Sequence, residues 1–153
     1  MLSLAGLRKH PVLLAGAAYP ELLARLARFF DVELAGDADL LDVALLRARL
    51  AGKSALVASQ AVLINASLLA ALPQLKAVCR IGPSHDGIDL AACTRAGVIA
   101  TNTADLGGDE AARRGMALAA ADNLIAAFGF GRHGGHPANL LNIELRCTLG
   151  CCL

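Results

Sequence analysis

Arg80-Ile81-Gly82-Pro83-Ser84-His85-Asp86-Gly87-Ile88-Asp89, followed after a short gap by Gly97-Val98-Ile99-Ala100-Thr101-Asn102-Thr103, decides how the rest of the chain is read. The apolar run Leu75 to Cys79 precedes it and reads as a buried strand. Two glycines, a proline and two aspartates then impose a turn. Asp89 is placed to cap a helix that ends at Gly97, and a second apolar run begins at once. The unit is strand, polar loop, short helix, strand. Its loop lies at the carboxyl end of the first strand, the edge where open α/β sheets bind ligands.

The same alternation extends in both directions. Val12 to Ala15 reads as a buried strand. Pro20 sits where a helix can start, with Leu22, Leu23, Leu26, Phe29 and Phe30 on one helical face. Val32 to Ala35 is a second strand, closed by the turn Gly36-Asp37. Leu40, Leu41, Ala44, Leu45 and Ala48 make the next helical stripe, which ends near Gly52. Ala55 to Ala58 is a third strand. Asn65 caps a short helix carrying Leu68, Leu69 and Leu72, stopped by Pro73. Leu75 to Cys79 is the fourth strand, Asp89 to Ala96 a helix and Val98 to Ala100 the fifth strand. This order predicts a parallel sheet with helices on both faces, joined by right-handed crossovers. Asp109 opens an Ala-rich helix that runs to about Phe128. Gly129, Gly131, Gly134, Gly135 and Pro137 break the pattern as a hinge. Leu140 to Leu153 begins something new, with Cys147 to Leu153 readable as one buried strand.

The 153 residues suffice for one domain with a real core. They are 56% hydrophobic but only 3% aromatic, so the core is built from Ala, Leu and Val, as suits helices on a parallel sheet. A formal net charge of +1, no basic run and few aromatics argue against a nucleic-acid surface. Five cysteines without regular spacing read as reduced core residues and point to the cytoplasm. The span from Ser54 to Leu75 is long enough to cross a membrane, but Ser59, Gln60, Asn65, Ser67, Pro73 and Gln74 interrupt it, and it parses as strand plus helix. Arg8 and Lys9 ahead of Pro11 to Ala18 have the order of a signal peptide, yet that apolar run is short and serves as the first strand. No membrane association is expected.

Leu72-Pro73-Gln74-Leu75-Lys76, Gly82, Asp86-Gly87-Ile88-Asp89, Gly97 and Thr101-Asn102-Thr103, in this order and with a long helix after them, resemble the substrate-binding domain of the NAD(P)-dependent D-2-hydroxyacid dehydrogenases, especially the glyoxylate, hydroxypyruvate and hydroxyphenylpyruvate reductase branch. The likeness runs from Pro11 onward, and Thr148-Leu149-Gly150 resembles the start of that family's nucleotide-binding domain. It implies a leader at residues 1–10, a flavodoxin-like five-stranded parallel sheet over 11–105, a connecting helix at 106–128 that crosses toward the nucleotide domain, and a Gly-rich hinge with the remnant start of that domain at 129–153. NAD or NADP is the family's cofactor, and the second domain supplies its site with the catalytic Arg, carboxylate and His. The resemblance therefore gives no residue here a catalytic or cofactor role. The chain is expected to lack the G-x-G-x-x-G loop, to hold no cofactor alone and to be inactive as a truncated half.

A 2-oxo acid needs donors for its carboxylate, and a loop of backbone N–H groups at a strand end supplies them. The resemblance places these at Gly82, Pro83 and Ser84, helped by Ala58, Ser59 and Gln60 after the third strand. Where relatives carry an apolar residue with an N–H, this chain has Pro83, which has none; where they carry a second glycine, it has Ser84, which needs more room. A lost charge-assisted hydrogen bond is worth about 1.5–3 kcal/mol. The Ser84 hydroxyl and the His85 ring are the candidates to compensate.

Other clusters carry a sharp and a plain reading. Arg80, His85 and Asp86 can be drawn as a charged group with a general base; more plainly, Asp86 and Asp89 bond loop amides and cap the helix while His85 is solvated. His133 and His136 have a spacing metals use, and Cys147, Cys151 and Cys152 could join a histidine on zinc. The plainer readings are a glycine hinge and a strand on which Cys151 and Cys152 face opposite ways, so no metal is expected. Arg113-Arg114-Gly115 interrupts the long helix where relatives tend to have an acidic residue followed by apolar ones. It reads as a solvated face, or as a helix that no longer packs on a neighbouring domain. Two functions follow. One is the substrate-binding half of a dehydrogenase reducing a small 2-oxo acid such as glyoxylate or hydroxypyruvate. The other is a non-catalytic binding or oligomerisation module, in which the long helix and the tail from Leu140 leave apolar surface for self-association.

Overall fold

The structure, a computed structural model, describes residues 9–16, 18–36, 38–130 and 137–145. The elements run β1 (His10–Ala15), α1 (Pro20–Ala27), β2 (Phe30–Ala35), α2 (Ala38–Leu41), α3 (Val43–Leu50), β3 (Ala55–Ala58), α4 (Ala66–Ala70), β4 (Ala77–Arg80), α5 (Leu90–Ala96), β5 (Ile99–Thr101) and α6 (Glu110–Ala127). The strands form one sheet in the order β2-β1-β3-β4-β5, every pairing parallel. This is the flavodoxin-like order, with its switch point between β1 and β3.

Two cores sandwich the sheet. Val12 and Leu14 of β1, Ala55 and Val57 of β3, and Ala77 and Cys79 of β4 pack with α1 and α6. Their neighbours Leu13, Ala15, Leu56, Ala58 and Val78 pack with α2 to α5 on the other face. A strand covered on both faces has no solvent-facing position, which is why these runs are continuously apolar.

The second helical stripe is not one helix. The Asp42 carboxylate accepts N–H bonds from Ala44 at 2.8 Å and Leu45 at 3.3 Å and starts α3 anew. The phase slips at this cap, so Leu46 and Leu50 are buried while Leu41, Ala44, Leu45 and Ala48 face solvent. Phe30 likewise leaves the α1 face and begins β2. It joins Phe29, Phe128, Phe130 and His10 in an aromatic cluster, with Phe29 and Phe130 stacked 5.4 Å apart. β4 and β5 each reach one residue further than their apolar runs suggest, to Arg80 and Thr101.

α6 lies back over its own sheet. Met116, Ala117, Ala120, Ala121 and Leu124 are buried against β3, β4, β5 and α1, and ion pairs Arg25–Asp122 and Arg114–Glu21 tie it to α1. Alanines let the helix approach closely, so these apolar residues are covered within the chain. The span from Ser54 to Leu75 resolves into β3, a loop and α4, and no described helix is long and apolar enough to cross a membrane. After α6, Leu140 bridges Thr101 in antiparallel sense, and the Leu141 N–H donates to the Ala100 carbonyl at 2.8 Å. The Asn142 side chain accepts from the Ala100 N–H at 2.9 Å and donates to the Val98 carbonyl at 2.7 Å. The leader expected over residues 1–10 lies outside the described residues up to residue 8 and is cut short by His10, which opens β1; the expectations placed on His133 and His136, and on Cys147 through Leu153, also lie outside the described residues.

Candidate functional site

The carboxyl ends of β1, β3 and β4 meet the start of α6 at one rim of the sheet. Local caps build the rim: Asn65 accepts from the Leu68 N–H at 2.9 Å, Asp89 from Ala92 at 3.0 Å and Asp109 from Ala112 at 2.7 Å. The loops after β3 and β4 are zipped together, with Ile64 N–H donating to the Gly87 carbonyl and Asp89 N–H to the Ile64 carbonyl, both at 2.9 Å.

The loop after β4 is largely engaged with itself. Gly82, at φ 109°, donates its N–H to the Thr103 hydroxyl at 2.8 Å and accepts from the Thr103 N–H at 3.0 Å. Pro83 is exposed, and its carbonyl accepts from Asn102 Nδ2 at 2.8 Å. The Ser84 hydroxyl accepts from the Asp86 N–H at 3.3 Å. Asp86 is thus amide donor rather than carboxylate acceptor in this loop, which corrects the expectation that its side chain bonds loop amides. Its charge instead faces Arg80, a buried residue whose Nη1 lies 3.4 Å from the Ala58 carbonyl and whose Nε is unpartnered. Burial lowers the Arg80 pKa and Asp86 partly restores it. Since Pro83 has no N–H and that of Gly82 is engaged, at most the Ser84 amide of this trio remains for a ligand.

Beside the loop, on the α6 side of the sheet, lies a cleft of about 350 Å³ lined by Tyr19, Ser59, Gln60, Ile81, Arg113 and Met116. Among the residues singled out in the sequence for the acid, Ser59 and Gln60 stand on its wall. Ala58 is buried behind it, its carbonyl accepting from the Ile81 N–H at 2.8 Å. Gly82, Pro83 and Ser84 are not among the walls. Tyr19, Ile81, Arg113 and Met116 are wall residues that sequence reasoning does not find; the one signal was the pair of arginines breaking the pattern of α6. A wider hollow of about 960 Å³ beside Lys9, Pro11, Phe30 and Val32 lies toward the amino ends of β1 and β2, away from the rim where such sheets bind ligands.

Among the described residues no group of three or more His, Cys, Asp or Glu side chains could hold a metal. For a dinucleotide, Gly129-Phe130-Gly131-Arg132-His133-Gly134 does carry the G-x-G-x-x-G spacing, which corrects the expectation that the chain lacks it. A dinucleotide loop follows a strand and opens a helix. Gly129 instead closes α6 at φ 78°, with its N–H on the Ala126 carbonyl at 2.9 Å and the Phe130 N–H on that of Ile125 at 3.0 Å, a helix-ending pattern. Its described part does not fit a pyrophosphate cradle.

Cys79 and Cys93 are free and buried. Burial pushes their thiols up to about 12 and about 11. At neutral pH both are protonated and shielded, and the thiolate is the reactive form. In the native chain, mass mapping after iodoacetamide is expected to leave Cys79 and Cys93 unlabelled until denaturant is added; rapid native labelling of either would contradict this packing.

Residues 12–142 match the family described as D-isomer specific 2-hydroxyacid dehydrogenase, catalytic domain. A glyoxylate reductase from Aeropyrum pernix is 29% identical over 155 residues, an alignment covering 94% of this chain and 46% of that protein, so the chain spans about half the length of this relative. Among solved structures, the NADPH-dependent glyoxylate/hydroxypyruvate reductase from Sinorhizobium meliloti in complex with citrate aligns at a TM-score of 0.50 and 28% identity, over 63% of this chain and 29% of that one. A phosphoglycerate oxidoreductase from Vibrio cholerae aligns at 0.52 and 25% identity, over 63% and 32%. With the parallel sheet in the order found here and a family match over most of its length, the chain belongs to the D-isomer-specific 2-hydroxyacid dehydrogenases.

Proposed function

We propose that the chain binds a small 2-oxo or 2-hydroxy acid at the carboxyl rim of its sheet, as the substrate-binding part of an NAD(P)-dependent 2-hydroxyacid dehydrogenase. The observation that carries this reading is the cleft joining Ser59, Ile81 and Arg113 at the rim, in a chain whose residues 12–142 match the family. The names of the Aeropyrum and Sinorhizobium relatives support glyoxylate or hydroxypyruvate as the class of acid. Ser59 contributes a donor from the cleft wall, while Ala58, Gly82, Pro83 and Ser84 shape the backbone beside it. Two buried free thiols suit a reducing compartment such as the cytoplasm.

The chain by itself does not turn the acid over. Hydride transfer needs a nicotinamide held against the substrate, and the described residues offer no fitting dinucleotide loop. A self-association module draws less support, because α6 buries its apolar residues on its own sheet. Calorimetric titration of the purified chain with glyoxylate, hydroxypyruvate and 4-methyl-2-oxopentanoate is expected to show saturable binding of at least one. Absorbance assays with NADH and NADPH are expected to show no oxidation. Silence with all three acids would remove the acid-binding reading, and steady cofactor oxidation would remove the claim of inactivity.

A further inference from the structure

We infer that Arg113 is the carboxylate anchor of this cleft, in place of the Gly82–Ser84 loop, and that Ile81 and Met116 favour acids with an apolar substituent. This rests on the acid-binding reading above, adds to it which side chain holds the charge, and turns its acid class from glyoxylate toward acids with a larger apolar body.

The loop is poor in donors. Pro83 has no N–H and the Gly82 N–H is on Thr103 at 2.8 Å, so only Ser84 of this trio keeps donors, and none of the three lines the cleft. The cleft wall supplied by α6, in contrast, carries a guanidinium, whose planar fork matches a carboxylate with two parallel bonds. Arg113 is weakly committed inside the chain: one contact of 3.5 Å with Glu110, both side chains 57% exposed. Exposed pairs of this kind contribute little, and a ligand carboxylate competes with Glu110 directly. Arg114 is committed elsewhere, to Glu21 and to Glu110, with its guanidinium 5.1 Å from the centre of the Tyr19 ring. Among the described residues these contacts join Arg113, Arg114, Glu110 and Glu21, and of the two cations Arg113 lines the cavity.

The rest of the wall sets the shape. Ile81 and Met116 are buried apolar side chains, and the half-buried Ser59 hydroxyl lies 3.4 Å from the Ala15 carbonyl. About 350 Å³ exceeds what a two-carbon acid fills and falls within the range of small-molecule pockets, about 300–1,000 Å³. A branched or aryl 2-oxo acid would bring its carboxylate to Arg113 and its apolar body to Ile81 and Met116.

Tyr19 makes the test direct. It is the chain's single tyrosine, and there is no tryptophan, so tyrosine emission reports from this wall. The purified chain is titrated with 4-methyl-2-oxopentanoate, glyoxylate and the uncharged ketone 4-methyl-2-pentanone, by tyrosine emission and by calorimetry. The branched acid is expected to bind more tightly than glyoxylate, and the ketone not at all. Arg113→Gln is expected to weaken the branched acid about tenfold or more, with Arg113→Lys intermediate. Glu110→Gln is expected to tighten binding by removing the competitor. Arg113 is exposed, so an unchanged thermal midpoint for Arg113→Gln shows that the fold is kept. If the wild-type chain binds the branched acid and Arg113→Gln binds it equally well, this assignment is overturned while the acid-binding reading stands. If glyoxylate binds as tightly as the branched acid, the apolar selection is overturned. If the wild-type chain binds no 2-oxo acid, the functional reading fails and this assignment with it.

Discussion

Gly87→Ala is expected to cost about 3 kcal/mol of folding stability, more than any other glycine-to-alanine change at this rim. Gly87 sits at φ 85°, where a side chain costs about 1–2 kcal/mol. An added Cβ would also lie 2.5 Å from the Val62 carbonyl oxygen and 3.2 Å from its carbon. Neither neighbour can retreat. Val62 and Ile64 are buried at 3% and 0% exposure, and Ile64 is hydrogen-bonded to the Gly87 carbonyl at 2.9 Å. Relieving such a clash by shifting backbone costs about 1–3 kcal/mol more. Gly97 and Gly82 are the controls: both have positive φ, 72° and 109°, but nothing lies within 4 Å of an added Cβ. Gly97→Ala, near the left-handed helical region, should therefore lose only about 1–2 kcal/mol, and Gly82→Ala only the backbone strain of its φ, with no clash added. Urea unfolding of the three variants measures the difference; equal midpoints would show that the two loops are not locked as described.

Asn142→Ala is expected to cost about 2–4 kcal/mol, an unusual loss for one polar side chain. Asn142 is 2% exposed and uses both ends of its amide on the backbone of β5 and its approach. Removing it leaves the Ala100 N–H and the Val98 carbonyl without those partners, and each stranded buried group costs about 1–3 kcal/mol. Asn142→Asp separates the two bonds: it keeps an acceptor for Ala100 and sets a carboxylate oxygen against the Val98 carbonyl. It should be at least as damaging near neutral pH. Amide hydrogen exchange gives the local readout, with Ala100 exchanging much faster in both variants. Unchanged exchange at Ala100 together with an unchanged unfolding midpoint would refute the role given to Asn142.

How far the sequence could be read depends on distance along the chain. Asn65, Asp89 and Asp109 each act three residues away on their own helix, so their caps are legible from residue type and position. The sheet is legible because Ala55 to Ala58 and its counterparts are short apolar runs between helices, a pattern only a strand buried on both faces accepts. Asp42 defeats the same logic. An aspartate among leucines reads as a solvated position of one helix until its carboxylate is found on Ala44 and Leu45, and every residue after it then turns to a different side. Asn142 is invisible for another reason: its partner Val98 is 44 residues away, beyond any periodicity. The site suffers from both effects. Ser59 follows a strand whose end is predictable. Arg113 reads as a disturbance because its place at the rim depends on which face of α6 the alanines turn to the sheet.

The covering of β5 by Leu140, Leu141 and Asn142 has a consequence for how copies of this protein could meet. Strand addition, the route by which exposed sheet borders polymerise, is blocked on that side. The opposite border is β2, which among the described residues pairs with β1 alone and carries the exposed carboxylates Asp31 and Glu33, the latter 3.5 Å from Lys53. An incoming peptide would meet the Asp31 carboxylate and the Glu33–Lys53 ion pair there, so extension of the array is opposed at one border by occupation and at the other by charged side chains.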